Sequence, residues 1–245
     1  MKNMIKEALQ YIVGLGKAEV KEYTLPDGEK GLYSDKPLHR LETPVPVAER
    51  LYLHTLTGLV DYIKSNTDTM AERMIVEVQS PTSVRLYSQL NDKRGREYLI
   101  EVTAMTPDFS FDCFLPQENF CISLQSKFIN SDDRELVLRC AGTVESGTVA
   151  QYGDDGVTQK ATIKQGIASK VEAQIPNPVH LKPYRTFLEV DQPASDFIFR
   201  MRDNHGVDCA IFEADGGAWE MEAMQNIKSY LQKELLGLEQ FTVIA

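Results

Sequence analysis

The stretch that decides the fold is DFIFRMRDNHGVDCAIFE, residues 196–213. Its first half alternates strictly, which places Phe197, Phe199 and Met201 on one face of a strand. Residues 203–206, Asp-Asn-His-Gly, are typical of a tight turn, because asparagine and glycine tolerate positive φ. A second strand over residues 207–213 follows. The pattern therefore predicts an antiparallel hairpin.

Secondary structure on both sides of this hairpin completes a core. Residues 181–190, bounded by prolines, predict a strand before it. After it, Asp215-Gly216-Gly217 ends the sheet and begins a helix that reaches about residue 236. The apolar positions of that helix recur at helical spacing and are Trp219, Met221, Met224, Ile227, Leu231 and Leu235. Trp219 is expected to anchor the core.

The first 45 residues predict an arm. Met1 to Leu15 forms an amphipathic helix, residues 20–25 and 30–33 form a hairpin, and residues 34–46 form an irregular, proline-containing linker. The apolar stripe of the helix must cover either the core or a neighbouring subunit. It consists of Met4, Ile5, Leu9, Ile12 and Val13.

The remaining residues, 46–245, predict one β-rich domain. The expected elements are a helix from Pro46 or Val47 to Ser65, strands over 73–79, 83–90 and 97–104, a helix over 116–130, a strand over 136–144, a loop over 145–156 and a strand pair over 157–171. The fold class is α+β, with an antiparallel sheet or sandwich as its core, an N-terminal helical arm and a C-terminal covering helix.

Composition restricts the function classes. The net charge of −10 argues against broad nucleic-acid binding, which depends on neutralising phosphates. No run approaches the ~18 apolar residues of a membrane helix, so no membrane association is expected and a cytoplasmic location is the default. The four cysteines form no CxxC pair and predict buried thiols. They are Cys113, Cys121, Cys140 and Cys209.

One cluster of polar residues offers a candidate metal site. Asp203, His205 and Asp208 lie next to Cys209 around the predicted turn. Glu213 and Asp215 are two residues apart at a strand end and form a candidate acid pair. The competing interpretation is that these residues form a turn, end a strand and cap a helix. No nucleophile or phosphate-binding motif accompanies them, so no cofactor is expected.

Two basic groups stand out against the acidic background. Lys93, Arg94 and Arg96 lie in one predicted turn and are candidate nucleic-acid contacts, although a solvated hairpin tip is the favoured interpretation. Lys182 with Arg185 is a second candidate patch.

Three segments resemble a known family. Residues 159–166 (QKATIKQG), residues 175–178 (IPNP) and residues 197–200 (FIFR) are similar to the YfdQ-like family of uncharacterised phage and prophage proteins. In that family a helix ending in an aromatic-rich turn, here residues 59–63, precedes a β-rich body. The resemblance covers the chain from about residue 45. It implies a phage or prophage origin and supplies no activity and no site residues.

The leading hypothesis is a non-enzymatic, phage-type accessory protein that acts as a homo-oligomeric assembly or interaction module, with other proteins as further candidate partners. The first alternative is a metal-dependent enzyme or nucleotide-binding protein that uses the 203–215 region. The second is a DNA-transaction accessory protein that uses Lys93, Arg94 and Arg96.

Overall fold

The computed structural model divides the chain into two compact units, Met1–Val47 and Ala48–Ala245. Independent domains at 1–45 and 46–245 remain a prediction, because compactness alone does not show independent folding. The structure describes residues 2–16, 19–26, 28–35, 38–41, 48–70, 72–144, 159–164, 170–175, 177–203 and 205–245.

The N-terminal unit contains one helix and a small antiparallel sheet. Its elements are α1 (Lys2–Gly16), β1 (Val20–Thr24), β2 (Lys30–Asp35) and β3 (Leu38–Leu41). The strands follow in the order β1-β2-β3. The predicted helix and hairpin are confirmed. The prediction of an irregular linker was wrong for residues 38–41, which pair with β2.

A five-stranded sheet begins the second unit. Its strands are β4 (Leu51–Leu53), β5 (Met74–Ser80), β6 (Ser83–Ser88), β7 (Tyr98–Thr103) and β14 (Phe241–Ile244). The predicted antiparallel meander β5-β6-β7 is confirmed. Both outer strands, β14 beside β5 and β4 beside β7, run parallel to their neighbours and were not predicted.

Two helices cover one face of this sheet. They are α2 (Leu56–Ser65) and α5 (Ala218–Glu234), and they pack with the inward residues of β5, β6 and β7 in one core. The helix predicted from Pro46 or Val47 was wrong in its first half. Residues 51–53 form a strand, and Thr55 begins the helix by accepting a hydrogen bond from the Gly58 amide at 3.1 Å.

A second sheet contains the hairpin quoted above. Its strands are β8 (Leu115–Pro116), β11 (Val179–Leu181), β12 (Ser195–Asp203) and β13 (Val207–Glu213), in the order β11-β12-β13-β8. Phe197, Phe199 and Met201 are buried on one face, as predicted. The strand predicted over residues 181–190 was wrong, because only its first residue belongs to β11.

Two consecutive helices cover this second sheet. They are α3 (Gln117–Lys127) and α4 (Asp132–Thr143). The strand predicted over residues 136–144 was wrong. Ser131 begins α4 by accepting a hydrogen bond from the Arg134 amide at 3.2 Å, and Val137, Cys140 and Ala141 then face the core at helical spacing.

A strand pair completes the second unit. It consists of β9 (Gln159–Lys164) and β10 (Lys170–Ile175), which are antiparallel. The predicted strand pair is therefore confirmed, although its second strand extends beyond the predicted end at residue 171. The loop predicted over 145–156 lies outside the described residues.

The predicted fold class is confirmed: helices and largely antiparallel sheets pack as an α+β structure in which α5 covers a sheet. Among the described residues, no helix combines the length and apolar character needed to cross a bilayer. The cysteine prediction holds for Cys140 and Cys209, which are buried, and was wrong for Cys113, which is exposed. Burial raises the pKa of Cys209 to about 12, so this thiol stays protonated at neutral pH.

Candidate functional site

The helix of the N-terminal unit presents apolar side chains to solvent. Leu9, Tyr11, Ile12 and Val13 each expose between 57% and 70% of their surface. Single exposed apolar residues are common on proteins, but a run of them on one short helix marks a surface that another molecule covers.

The small sheet beside this helix in sequence does not build a core either. All five residues of β1 are exposed. Tyr23 and Tyr33 contact each other edge to face, with ring centroids 5.6 Å apart, yet Tyr23 remains half exposed. Among the residues of this unit whose burial the structure describes, Gly31 and Ser34 are the buried ones, and neither supplies apolar side-chain volume.

The candidate metal residues are engaged in the turn itself. The carboxylate of Asp203 accepts a hydrogen bond from the Gly206 amide at 3.4 Å. Arg202 Nε donates to Asp208 Oδ2 at 3.1 Å across the hairpin. His205 is exposed and has a φ of 58°. Within the described ranges, no three His, Cys, Asp or Glu side chains are grouped to hold a metal ion, so the structure adds no support for a metal site.

The most tightly organised polar cluster surrounds Arg185. This side chain is only 9% exposed, and its Nη1 donates to Glu213 Oε1 at 2.5 Å. Nη2 donates to the Ser195 hydroxyl. The guanidinium also lies on Trp219, with Cζ 3.8 Å from the ring centroid, in a cation–π contact. One arginine therefore joins a loop, two strands and the start of α5.

A buried glutamine holds this loop in shape. The Oε1 atom of Gln192 accepts hydrogen bonds from the Arg185 amide at 3.0 Å and the Thr186 amide at 3.2 Å. Its Nε2 atom donates to the Phe187 carbonyl at 2.9 Å. These backbone groups lie outside the sheets. The Gln192 side chain therefore supplies the hydrogen bonds that a neighbouring strand would otherwise have formed with them.

Burial and charge shift the acid–base properties of the cluster. Burial lowers the pKa of Arg185 and raises that of Glu213, although the ion pair between them opposes both shifts. For Asp215, burial alone would raise the pKa, but hydrogen bonds from Ser195 and the Gly217 amide, together with Arg185, hold it below its usual value. Asp215 is thus a stable anion that balances the buried cation.

This geometry gives the sequence-derived candidates different roles. Glu213 and Asp215 both serve Arg185, so the predicted acid pair has a structural function here. Arg185 is buried and does not join Lys182 in a surface patch. Trp219 is half buried over the arginine rather than inside the apolar core. Ser195 and Gln192 carried no sequence signal, because their importance depends on contacts made only in the folded chain.

Lys93, Arg94 and Arg96 lie together at the tip of the β6–β7 hairpin, and all three are exposed. Asn91 shapes the tip by accepting a hydrogen bond from the Gly95 amide at 2.8 Å. The structure thus confirms the turn and brings these cations to one place. Whether the tip contacts nucleic acid remains a prediction.

An open cleft of about 600 Å³ lies near this hairpin, and its lining includes the carboxylates of Asp68, Glu72 and Glu97. Its acids already have partners. Tyr62 donates to Asp68 at 2.5 Å, Gln89 donates to Glu72 at 3.0 Å, and the Ala48 amide donates to Glu97 at 2.8 Å. The cleft therefore resembles a hydrogen-bonded surface depression more than a ligand site with converging free groups.

Comparison with known proteins adds no further constraint on these surfaces. No family model, no curated protein and no solved structure matches the chain.

Proposed function

We propose that the protein is a non-enzymatic accessory protein that assembles into a homo-oligomer through its N-terminal unit. The observation that carries the proposal is the apolar side of α1, which is exposed in a unit whose described residues bury no apolar side chain. A phage or prophage origin, suggested by the resemblance to the YfdQ-like family, is part of the same proposal.

Physical chemistry supports the need for a partner. Isolated helices of up to about 15 residues are marginal in water, and α1 has 15 residues with Gly14 in its last turn. Burying a Leu, Ile or Val side chain contributes ~1.5–3 kcal/mol. Covering the half-exposed Leu9, Ile12 and Val13 therefore contributes about 1 kcal/mol each, enough to stabilise the helix in an assembly.

The polar clusters of the second unit support a non-enzymatic role. The groups around Arg185 neutralise one another, and the acids at the 203–208 turn accept hydrogen bonds from the turn and from Arg202. Catalytic groups need a substrate within hydrogen-bond reach, and these groups are instead occupied by the protein itself.

The test is the mass of the full chain in solution, measured by light scattering behind size-exclusion chromatography at micromolar concentration. We expect a multiple of the 27.6 kDa chain mass. A mass of one chain across the accessible concentration range rejects the proposal.

A further inference from the structure

The apolar positions of α1 follow a heptad pattern. Ile5, Ala8, Ile12 and Leu15 are separated alternately by three and four residues. This is the spacing of the a and d positions at which helices of a coiled coil contact one another. The pattern spans two heptads.

The apolar surface of α1 is wider than this seam. Met4, Leu9 and Tyr11 occupy the flanking e and g positions, where a two-stranded coiled coil usually has charged residues. At about 100° per residue, the apolar positions from Tyr11 round to Val13 span an arc of about 200°. One neighbouring helix covers roughly half of such an arc, so each α1 helix needs a neighbour on two sides.

The length of α1 also argues against a simple pair of helices. Fifteen residues rise about 22 Å along the axis. Two heptads are fewer than the three to four that identify a two-stranded coiled coil. Contact with two neighbours doubles the apolar area that each helix buries and compensates for the short length.

The charge distribution favours another copy of the same unit as the molecule that covers the apolar side of α1. Residues 1–47 contain 7 Lys and Arg and 7 Asp and Glu, a net charge of 7 − 7 = 0, so the rest of the chain carries the whole −10. Copies that meet through the N-terminal unit therefore bring no net charge into the contact, and no net repulsion opposes it. A helix that binds a lipid surface is usually rich in Lys and Arg on its polar side. The polar side of α1 instead combines Lys6 with Glu7 and the uncharged Gln10.

From this spacing, width and charge we infer that the α1 helices of at least three copies pack around a common axis as one closed bundle. Ala8, Ile12 and Leu15 form its centre, and Leu9 and Tyr11 form the contacts between adjacent helices. The inference rests on the proposed homo-oligomer and specifies its interface and its minimum number of copies.

The experiment compares two single-charge variants of the full chain. Ile12→Glu places a carboxylate at the centre of the bundle, whereas Gln10→Glu adds the same charge on the polar side of the same helix. We expect wild type and Gln10→Glu to share a mass of at least three times 27.6 kDa in sedimentation velocity. Ile12→Glu is expected to sediment as one chain, an at least threefold loss of mass. Urea unfolding of the second unit, followed through Trp219 fluorescence, should be the same in all three proteins.

The outcomes separate the inference from the proposed function. A wild-type monomer rejects both, including one that binds anionic vesicles through α1. A wild-type dimer rejects the bundle and leaves homo-oligomerisation in place. An oligomer of three or more copies that survives Ile12→Glu with unchanged mass shows that another surface holds the copies together and also rejects the bundle.

Discussion

Replacing Arg185 with alanine is expected to cost the second unit about 3 kcal/mol of unfolding free energy. Removing one partner of a buried ion pair costs ~3–5 kcal/mol, because the other charge remains uncompensated. The Glu213 side chain is 30% exposed, so this part of the cost should be about 2 kcal/mol. Loss of the contact with Trp219 contributes about 1 kcal/mol more.

A matched control comes from Arg202, an arginine in β12. Arg202 forms an ion pair with Asp208 at 3.1 Å and lies over Phe114, 4.1 Å from the ring centroid, but its side chain is 47% exposed. Surface ion pairs contribute ~0–1 kcal/mol, so Arg202→Ala should cost less than about 1 kcal/mol. The two substitutions remove the same side chain and differ mainly in burial.

Urea unfolding of the full chain provides the measurement. Trp219 is the sole tryptophan and contacts the Arg185 guanidinium, so its fluorescence reports on the part of the structure that is changed. Equal costs for Arg185→Ala and Arg202→Ala would refute the reasoning.

A second pair of variants isolates the charge at this site. Arg185→Met keeps most of the side-chain volume but leaves the Glu213 carboxylate unpaired, and adding Glu213→Gln should recover part of the lost stability. Failure of the double variant to recover would show that the cost comes from the lost contacts of Arg185 with Ser195, Asp215 and Trp219 rather than from the unpaired Glu213 carboxylate.

Two further predictions concern a helix cap and two tyrosines. Ser131→Ala removes the hydroxyl that accepts the Arg134 amide hydrogen bond and should lower the unfolding free energy by about 1 kcal/mol. Ser131→Asp keeps an acceptor at this position and should retain the stability of the wild type. Equal losses for the two variants in urea unfolding would contradict the capping role. Burial, with the hydrogen bond to Asp68 in the case of Tyr62, raises the pKa values of Tyr62 and Tyr98 to about 12 from 10.0. Because the folded pKa lies above the unfolded one, the stabilisation is complete below pH 10 and is lost as the pH rises through 12. Tyr62→Phe should therefore flatten the alkaline decline of stability in urea unfolding, and an unchanged decline would argue against it.

The local signals in the sequence were sufficient for the hairpin β12–β13 and for α5. Strict alternation and the Asp-Asn-His-Gly turn are set within a few residues, so no distant contact was needed to recognise the hairpin. Helix α5 was also recognised, although Met221 is 73% exposed rather than buried. Ala223 takes an inward position there, and a small side chain gives little signal in an apolar pattern.

In the sequence analysis, the strand-favouring residues 136–144 outweighed the helix-start signal just before them, so α4 was predicted as a strand. The segment 136–144 contains valines and alternates enough to favour a strand. The decisive residues lie before it: Ser131 as the N-cap, then Asp132, Asp133 and Glu135 in the first turn. Taking 131–135 as a helix start predicts the structure that is observed.

Other features depended on contacts that local patterns do not record. Strand β4 exists because it pairs with β7, and Arg50 supports that pairing by lying 3.5 Å from the centroid of the Tyr98 ring and 3.2 Å from Glu101. The Arg185 cluster likewise joins residues up to 34 positions apart (219 − 185). The apolar stripe of α1 was anticipated, because amphipathicity is a local property, but whether it covers the core or a neighbouring subunit could not be read from the pattern.

The parallel pairing of β14 with β5 governs the order in which the second unit can fold. Phe241 lies opposite Met74, which precedes it by 167 positions (241 − 74). On a ribosome, β5 is therefore synthesised long before its neighbour and presents an unpaired strand edge in the meantime. Closing so long a loop is entropically costly and slow, so the completed sheet should be among the last structures to form. The unpaired edge of β5 is therefore open to misassembly during synthesis, until residues 241–244 become available.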